Sequence, residues 1–236
     1  MQIINEREVI TMDLYHGSSE IIEVPVYGKG SATNDYGLGF YCTQDPDLAK
    51  EWACPTAKDG FCNIYKLDMT NLKMLRLNGE GYNILNWIAI LLKNRTFPKR
   101  SPISRQASEY ILKEFLPDIS GYDVICGYRA DDSYFSYAKD FLNNGISVSQ
   151  LAQAMKLGEL GEQVVLMSPK AFKQIRFENY AIADGSIYGP RRAERENRAR
   201  RAYLDAHGSA LAIREDDLFV RDIISGQVKN NDPRLR

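Results

Sequence analysis

Residues 14–19, LYHGSS, place one of the chain's two histidines at the end of a strand-like run, followed by a glycine and two serines. Beside a glycine, a backbone amide and carbonyl can bond a flat amide ligand, because no Cβ blocks the approach. The neighbouring His16 imidazole can bond a sugar hydroxyl, or it can be a strand-end ring held by a backbone carbonyl. Some twenty residues later DYGLGFYCT (35–43) sets two glycines around a turn and then sends Phe40 and Tyr41 into a strand. An aromatic at that point can offer its face to a planar base or simply fill the core. GYRADDSYF (127–135) supplies Arg129, whose fork suits phosphate, and Asp131 and Asp132, either of which can act as a base. The same residues can instead close a turn and cap the next helix through Asp132 or Ser133. In GEQVVL (161–166) the two-residue period of a strand sends Glu162 and Gln163 to opposite faces, unless the strand opens with a bulge. A serine hydrolase built on Ser18 or Ser19 with His16 is disfavoured, since neighbours on one strand do not reach that geometry. His16 and His207 are too few for a zinc site, so no metal is expected.

These residues need a framework, and the composition allows one. The chain has 236 residues, 44% hydrophobic and 26% charged, with a formal net charge of −1. That suits one domain with an extension, and it argues against a globally basic nucleic-acid binder. No basic stretch followed by an apolar run opens the sequence, so no secretory signal is expected, and the most apolar stretch, ILNWIAILLK from Ile84, is too short for a bilayer. Cys42, Cys54, Cys62 and Cys126 form no CxxC pair and are expected as reduced core thiols of a cytoplasmic protein.

Strand signals appear at 12–16, at 39–43, from Asn63 and from Lys73. Asp45 and Pro46 open a helix that places Leu48, Ala49 and Trp52 on one face. The middle turns helical over 82–94 and again over 103–116. YDVICG then forms a buried strand. A further helix with Phe135, Ala138, Phe141 and Leu142 inward stops at Asn144-Gly145. Ser147 or Ser149 caps another helix, expected to run to Leu157 and close at Gly158. EQVVLMS and QIRFENYAI return to strand character. Strands at both ends of a helical middle imply an α+β fold with mostly antiparallel sheets, a helical insertion and a helical C-terminal extension. The boundary is drawn as 12–185 and 186–236, near Gly189-Pro190. Six arginines between Arg191 and Arg201, interleaved with Glu194 and Glu196, suit a solvated helix with internal ion pairs. The same run can track a phosphate backbone or dock an acidic protein.

Taken in order, LYHGS, YGLGFYCT and AKEWA resemble the opening of the ADP-ribosyltransferase superfamily, in its poly(ADP-ribose) polymerase-like branch. YDVICGYRADDSYF and LGELGEQVVLMSPKAFKQIRF look like later blocks of a bacterial family of unknown function that carries the same signature. The resemblance runs from about Leu14 to Phe177. It implies split, mostly antiparallel sheets and NAD as co-substrate. His16 would bond the adenosine-side ribose and the Gly17 backbone the nicotinamide carboxamide, with Ser18 beside them in the cofactor-binding set. Gly37 and Gly39 would shape the turn, Tyr41 would stack on the nicotinamide, and Arg129 would meet the pyrophosphate. Glycine after the histidine would leave room for the amide. Many members place Glu where this chain has Gln163, so Gln163, Glu162, Asp131 or Asp132 is expected to supply the key polar group. Asn94-Arg95 is expected as a helix end. The implied activity is mono-ADP-ribosyl transfer to nucleic acid or protein, by an effector of a toxin–antitoxin or phage-defence pair that can have an antitoxin or other partner. The alternative is a weak or inactive module that binds NAD, ADP-ribose or RNA.

Overall fold

Backbone pairing sorts the strands into two sheets. β1 (Thr11–Ser18), β3 (Gly60–Asp68) and β7 (Ile175–Ala183) form an antiparallel sheet in the order β1-β3-β7. β2 (Phe40–Cys42), β4 (Met74–Arg76), β5 (Val124–Tyr128) and β6 (Glu162–Leu166) form a second, in the order β2-β6-β5-β4. Among these strands only β4 and β5 run parallel, and parallel neighbours need a crossover. The insertion provides it through α2 (Ile84–Asn94) and α3 (Pro102–Phe115). The computed structural model describes residues 10–56, 58–97, 101–130, 132–156, 161–208 and 216–235. The chain is an α+β protein with mostly antiparallel sheets, as the alternation of strand and helix signals implies.

The second sheet is buried on both faces, which is why VIC and VVL look like unbroken apolar runs. One face carries Phe40, Cys42, Val124, Cys126, Val164 and Leu166, packed against Leu14, Tyr65 and Leu67 of the first sheet. The other presents Ile125 and Val165 to a larger core built from α2, α3, α4 (Asp132–Leu142) and α5 (Val148–Ala154). Strand period alone separates these two sets. All four cysteines are buried and free.

Local chemistry sets the helix ends. Asp45 accepts from the backbone N–H of Asp47 (2.9 Å) and Leu48 (3.3 Å), and Pro46 follows it at the start of α1 (Pro46–Ala53). Ser101 and Pro102 begin α3 one residue before the expected Ile103. Of the two serines proposed for α5, Ser147 is the cap, accepting from Gln150 N–H (3.2 Å). This helix ends at Ala154, short of Leu157 and Gly158, which lie outside the described residues. Asn144 adopts φ 64° to finish α4. A short helix not anticipated from the sequence, α6 (Pro169–Gln174), is opened by Ser168 and Pro169.

The arginine-rich segment is α7 (Gly185–Gly208), which runs through Gly189-Pro190 without a break. It lies back on the body. Arg195 makes a bidentate ion pair with the buried Glu51 of α1, both contacts at 2.9 Å. Ala199 and Tyr203 are buried, and the Tyr203 ring stacks on Tyr137 of α4 with centroids 3.9 Å apart. Arg192 and Arg201 pair within the helix, with Glu196 and Glu194. Leu218 and the residues Val220 and Ile223 of α8 (Val220–Ser225) join the larger core, so the extension shares a core with the rest of the chain. No described helix is long and apolar enough to cross a membrane.

Removing one member of a buried ion pair strands the other charge. Arg195→Ala is therefore expected to cost about 3 kcal/mol in chemical denaturation. Arg198→Ala, at an exposed position of the same helix, should change stability by less than about 0.5 kcal/mol. Equal effects would show that the α7 clamp contributes nothing specific.

Candidate ligand cleft where the two sheets diverge

Backbone pairing between β1 and the chain leaving β2 is one isolated bridge, in which Tyr15 and Thr43, the residue after β2, exchange hydrogen bonds of 2.8 and 2.9 Å. Beyond it the strands part. Backbone groups two residues apart on a strand face the same edge, so Gly17 turns its N–H and C=O toward the opening that β2 has left. The gap widens into a cavity of about 550 Å³, within the size range of small-molecule sites. Of the residues singled out by sequence, His16, Gly17, Gly39, Tyr41, Arg129 and Gln163 line it.

His16 spans the gap. Tyr41 O can only accept, so the 2.7 Å contact makes His16 Nδ1 the donor and leaves Nε2 to a ligand as an acceptor. The ring stacks on Phe40 with centroids 4.4 Å apart. Burial lowers the imidazole pKa below the ordinary 6.5, partly offset by the bond to Tyr41. The neutral, accepting form is thus the resting state.

Tyr41 offers a ring rather than a hydroxyl. Its Oη donates to Gly37 O (2.6 Å) and accepts from Tyr36 N–H (3.1 Å). Burial pushes the phenol well above its ordinary value, so it keeps its proton at neutral pH and acts as neither base nor nucleophile. Gly37, at φ +79°, makes this turn possible.

The glycine of the His-Gly pair has a different structural origin from the one expected. A Cβ on Gly17 would lie 1.9 Å from Ala49 O and 2.8 Å from Ala53 N, so it is helix α1 that requires the missing side chain. The part of Gly17 that faces the cavity is its backbone edge. Gly39 is likewise pressed against β6, with Val165 Cγ1 2.6 Å from a Cβ built there.

Gln163 and Glu162 separate as the pleat requires. The β5–β6 register runs without a bulge, pairing Gly127 with Gln163 and Tyr128 with Glu162. Glu162 turns to the opposite face, where it accepts from Asn78 and from the Cys126 thiol (2.9 Å). Burial and that carboxylate push Cys126 up to about 12, out of range for a thiolate nucleophile. Ser18 also points away, donating to Glu20 O and accepting from Asn63 Nδ2 (3.1 Å). Asp132 begins α4, while Asp131 and the Asp132 side chain lie outside the described residues.

Four residues of the site carry roles there that the sequence did not suggest. Asp35, 4% exposed, accepts from Arg95 (2.7 Å), Ala130 N–H (2.8 Å) and Gln163 Nε2 (3.1 Å). Burial raises its pKa, while Ala130 and Arg95 work against the rise. Arg95 does end α2, but its guanidinium reaches into the cleft instead of ending in solvent. Trp52 lines the cavity beneath the Arg129 guanidinium, 4.6 Å from the ring centroid. Asn63, fully buried in β3, bonds His16 O, Ser18 Oγ and Glu20 O through its amide nitrogen and Ile22 N–H through its oxygen. It thereby fastens the segment whose Ile22, Val24 and Val26 form the apolar wall. A polar residue at an inward strand position is the one available sign of Asn63.

Two buried side-chain nitrogen or oxygen atoms among the described residues have no hydrogen-bond partner, Trp52 Nε1 and Gln163 Oε1. Both belong to residues of this cleft. An unpaired buried donor and an unpaired buried acceptor are costly, and a ligand that supplies both partners relieves that cost.

Gly17→Ala tests the reading of the glycine. The Cβ cannot be placed without moving α1, so a loss of about 3 kcal/mol is expected in thermal or chemical unfolding. A variant as stable as the wild type would show that the glycine is needed only for ligand access.

Comparison with known proteins bears on the same stretch. Residues 12–177 match the family described as "Protein of unknown function (DUF3990)". No curated protein and no solved structure shows significant similarity. The match takes in every residue that lines the cleft and ends within β7, ahead of α7 and α8. The chain belongs to the DUF3990 family.

Proposed function

We propose that the cleft binds NAD and that the protein is a mono-ADP-ribosyltransferase acting on a macromolecular nucleophile. The observation that carries this reading is the pairing, across one opening, of a neutral histidine acceptor and a locked tyrosine ring. Trp52 Nε1 and Gln163 Oε1, unpaired atoms of two residues that line this cleft, support a ligand rich in both donors and acceptors. NAD supplies a glycosidic bond whose electron pair leaves with nicotinamide, so that an acceptor nucleophile can bond to the ribose C1 and give up its proton.

The residues divide the work by their chemistry. His16 Nε2 accepts from a ribose hydroxyl. The exposed backbone edge of Gly17 pairs with the carboxamide, whose donor and acceptor match an N–H and a C=O. The Tyr41 ring, immobilised by its two hydrogen bonds, forms the stacking surface. Arg129 provides positive charge for the pyrophosphate. Gln163 Oε1 accepts from the hydroxyl beside the reacting carbon, where electron density favours the positive charge developing on the sugar. Antiparallel sheets that diverge at a His-Gly strand end accord with the resemblance to the ADP-ribosyltransferase superfamily. A carboxamide in place of a carboxylate gives some support to a second reading, a module that binds NAD or ADP-ribose without cleaving it.

The two readings separate in one assay. Wild-type protein incubated with NAD and cell extract is expected to release nicotinamide, with His16→Ala and Tyr41→Ala slower by about a hundredfold. NAD or ADP-ribose binding without release would establish the binding module, and neither binding nor release would overturn both.

The pH dependence has a defined sign. Burial disfavours the charged imidazolium, so the accepting form of His16 survives below pH 6.5 before protonation removes it. NAD affinity followed by calorimetry from about pH 8 to about pH 5 should fall toward acid with its midpoint below 6.5. A midpoint at or above 6.5 would contradict this role for His16.

A further inference from the structure

Gln163 poses a problem that the structure itself addresses. An amide has one donor end and one acceptor end, and either can face a ligand unless something fixes the choice. Here the fixing group is Asp35. Its Oδ2 lies 3.1 Å from the Gln163 amide nitrogen and also takes the Ala130 N–H, while Oδ1 holds Arg95 at 2.7 Å. Both oxygens of this carboxyl already accept, from Arg95 and from the Ala130 N–H, so the Gln163 –NH₂ must turn to it. The carbonyl oxygen is thereby forced the other way, and it is this oxygen that is buried without a partner.

We infer that Asp35 is a positioning residue that acts through Gln163, fixing and polarising its amide so that Oε1 presents negative charge to the sugar in place of a carboxylate. The inference rests on the NAD reading and adds to it the group that makes a glutamine sufficient. A carboxylate accepting one amide N–H draws electron density toward the far oxygen, and buried hydrogen-bond chains strengthen this effect. The pair thus delivers the charge of Asp35 one residue further into the cleft. Neither Glu162, on the opposite face, nor any thiol is needed. The other titratable groups facing the pair hold one state. Arg95, at the end of α2, carries a guanidinium that stays charged in proteins, and burial keeps Tyr36 and Tyr41 above the ordinary phenol value.

The test is a double-mutant cycle on nicotinamide release from NAD, with kcat, KM and pH profile measured for Asp35→Asn, Gln163→Glu and the double variant. Asp35→Asn should lower kcat about tenfold or more with KM for NAD nearly unchanged, because the amide loses its orientation and its charge. Gln163→Glu alone puts two carboxylates side by side, so one must keep a proton. Its kcat profile should gain an alkaline limb that the wild type lacks. In the double variant the amide introduced at position 35 donates to the new carboxylate, at the expense of the Ala130 N–H that shares the Oδ2 position, so kcat should recover severalfold over Asp35→Asn and the limb should vanish. A merely structural Asp35 predicts a double variant no better than Asp35→Asn, and that result would overturn the inference. Should Asp35→Asn fail to fold, the absence of an alkaline limb in Gln163→Glu would overturn it equally. A wild type that binds NAD but releases no nicotinamide would refute transfer activity and this role together. Normal release with unaltered kcat in Asp35→Asn would refute this role alone.

Discussion

A single buried carboxylate holds the cleft together. Asp35 takes a guanidinium from the end of α2, a backbone N–H from the residues after β5 and a side-chain amide from β6. Burying a charge costs several kcal/mol unless it is compensated by partners in good geometry. The compensation here comes from parts of the chain 60, 95 and 128 residues away, so the carboxylate constrains where all of them sit. Those same parts carry Arg95, Arg129 and Gln163, the polar wall of the cavity.

The opposite wall depends on a different constraint. The backbone of β1 pairs with Thr43, just past β2, through Tyr15, and the strands then separate with the His16 side chain reaching across to Tyr41 O. Asn63 holds the outgoing chain, α1 presses on Gly17, and the Arg195–Glu51 pair holds α1 from behind. The arginine-rich helix thus contributes to the site through packing. Arg195 carries out that task, while Arg192 and Arg201 are paired within the helix.

Much of this is legible in the sequence, for reasons that can be stated residue by residue. Asp45-Pro46 and Asn144-Gly145 are local signals, and they mark helix ends where those ends occur. The pleat of β6 tells Gln163 from Glu162 without knowledge of any contact, because period two is a property of the strand alone. The hub is not legible. Asp35 reads as the first residue of a glycine turn and Arg95 as a helix terminus, and nothing local joins them across 60 residues. Gly17 stands out at the right position, but Ala49 and Ala53 of α1, which meet it, lie more than thirty residues further along. Six residues carry too little periodicity to announce α6.

The central claim concerns what fills the space between His16 and Gln163. A crystal structure with a non-hydrolysable NAD analogue addresses it most directly. The account predicts the analogue bent through the cleft, one ribose hydroxyl on His16 Nε2, another on Gln163 Oε1, and the pyridine ring over Tyr41, with the Gln163 nitrogen still on Asp35. An analogue bound elsewhere, or a Gln163 amide that turns its nitrogen to the sugar, would contradict it.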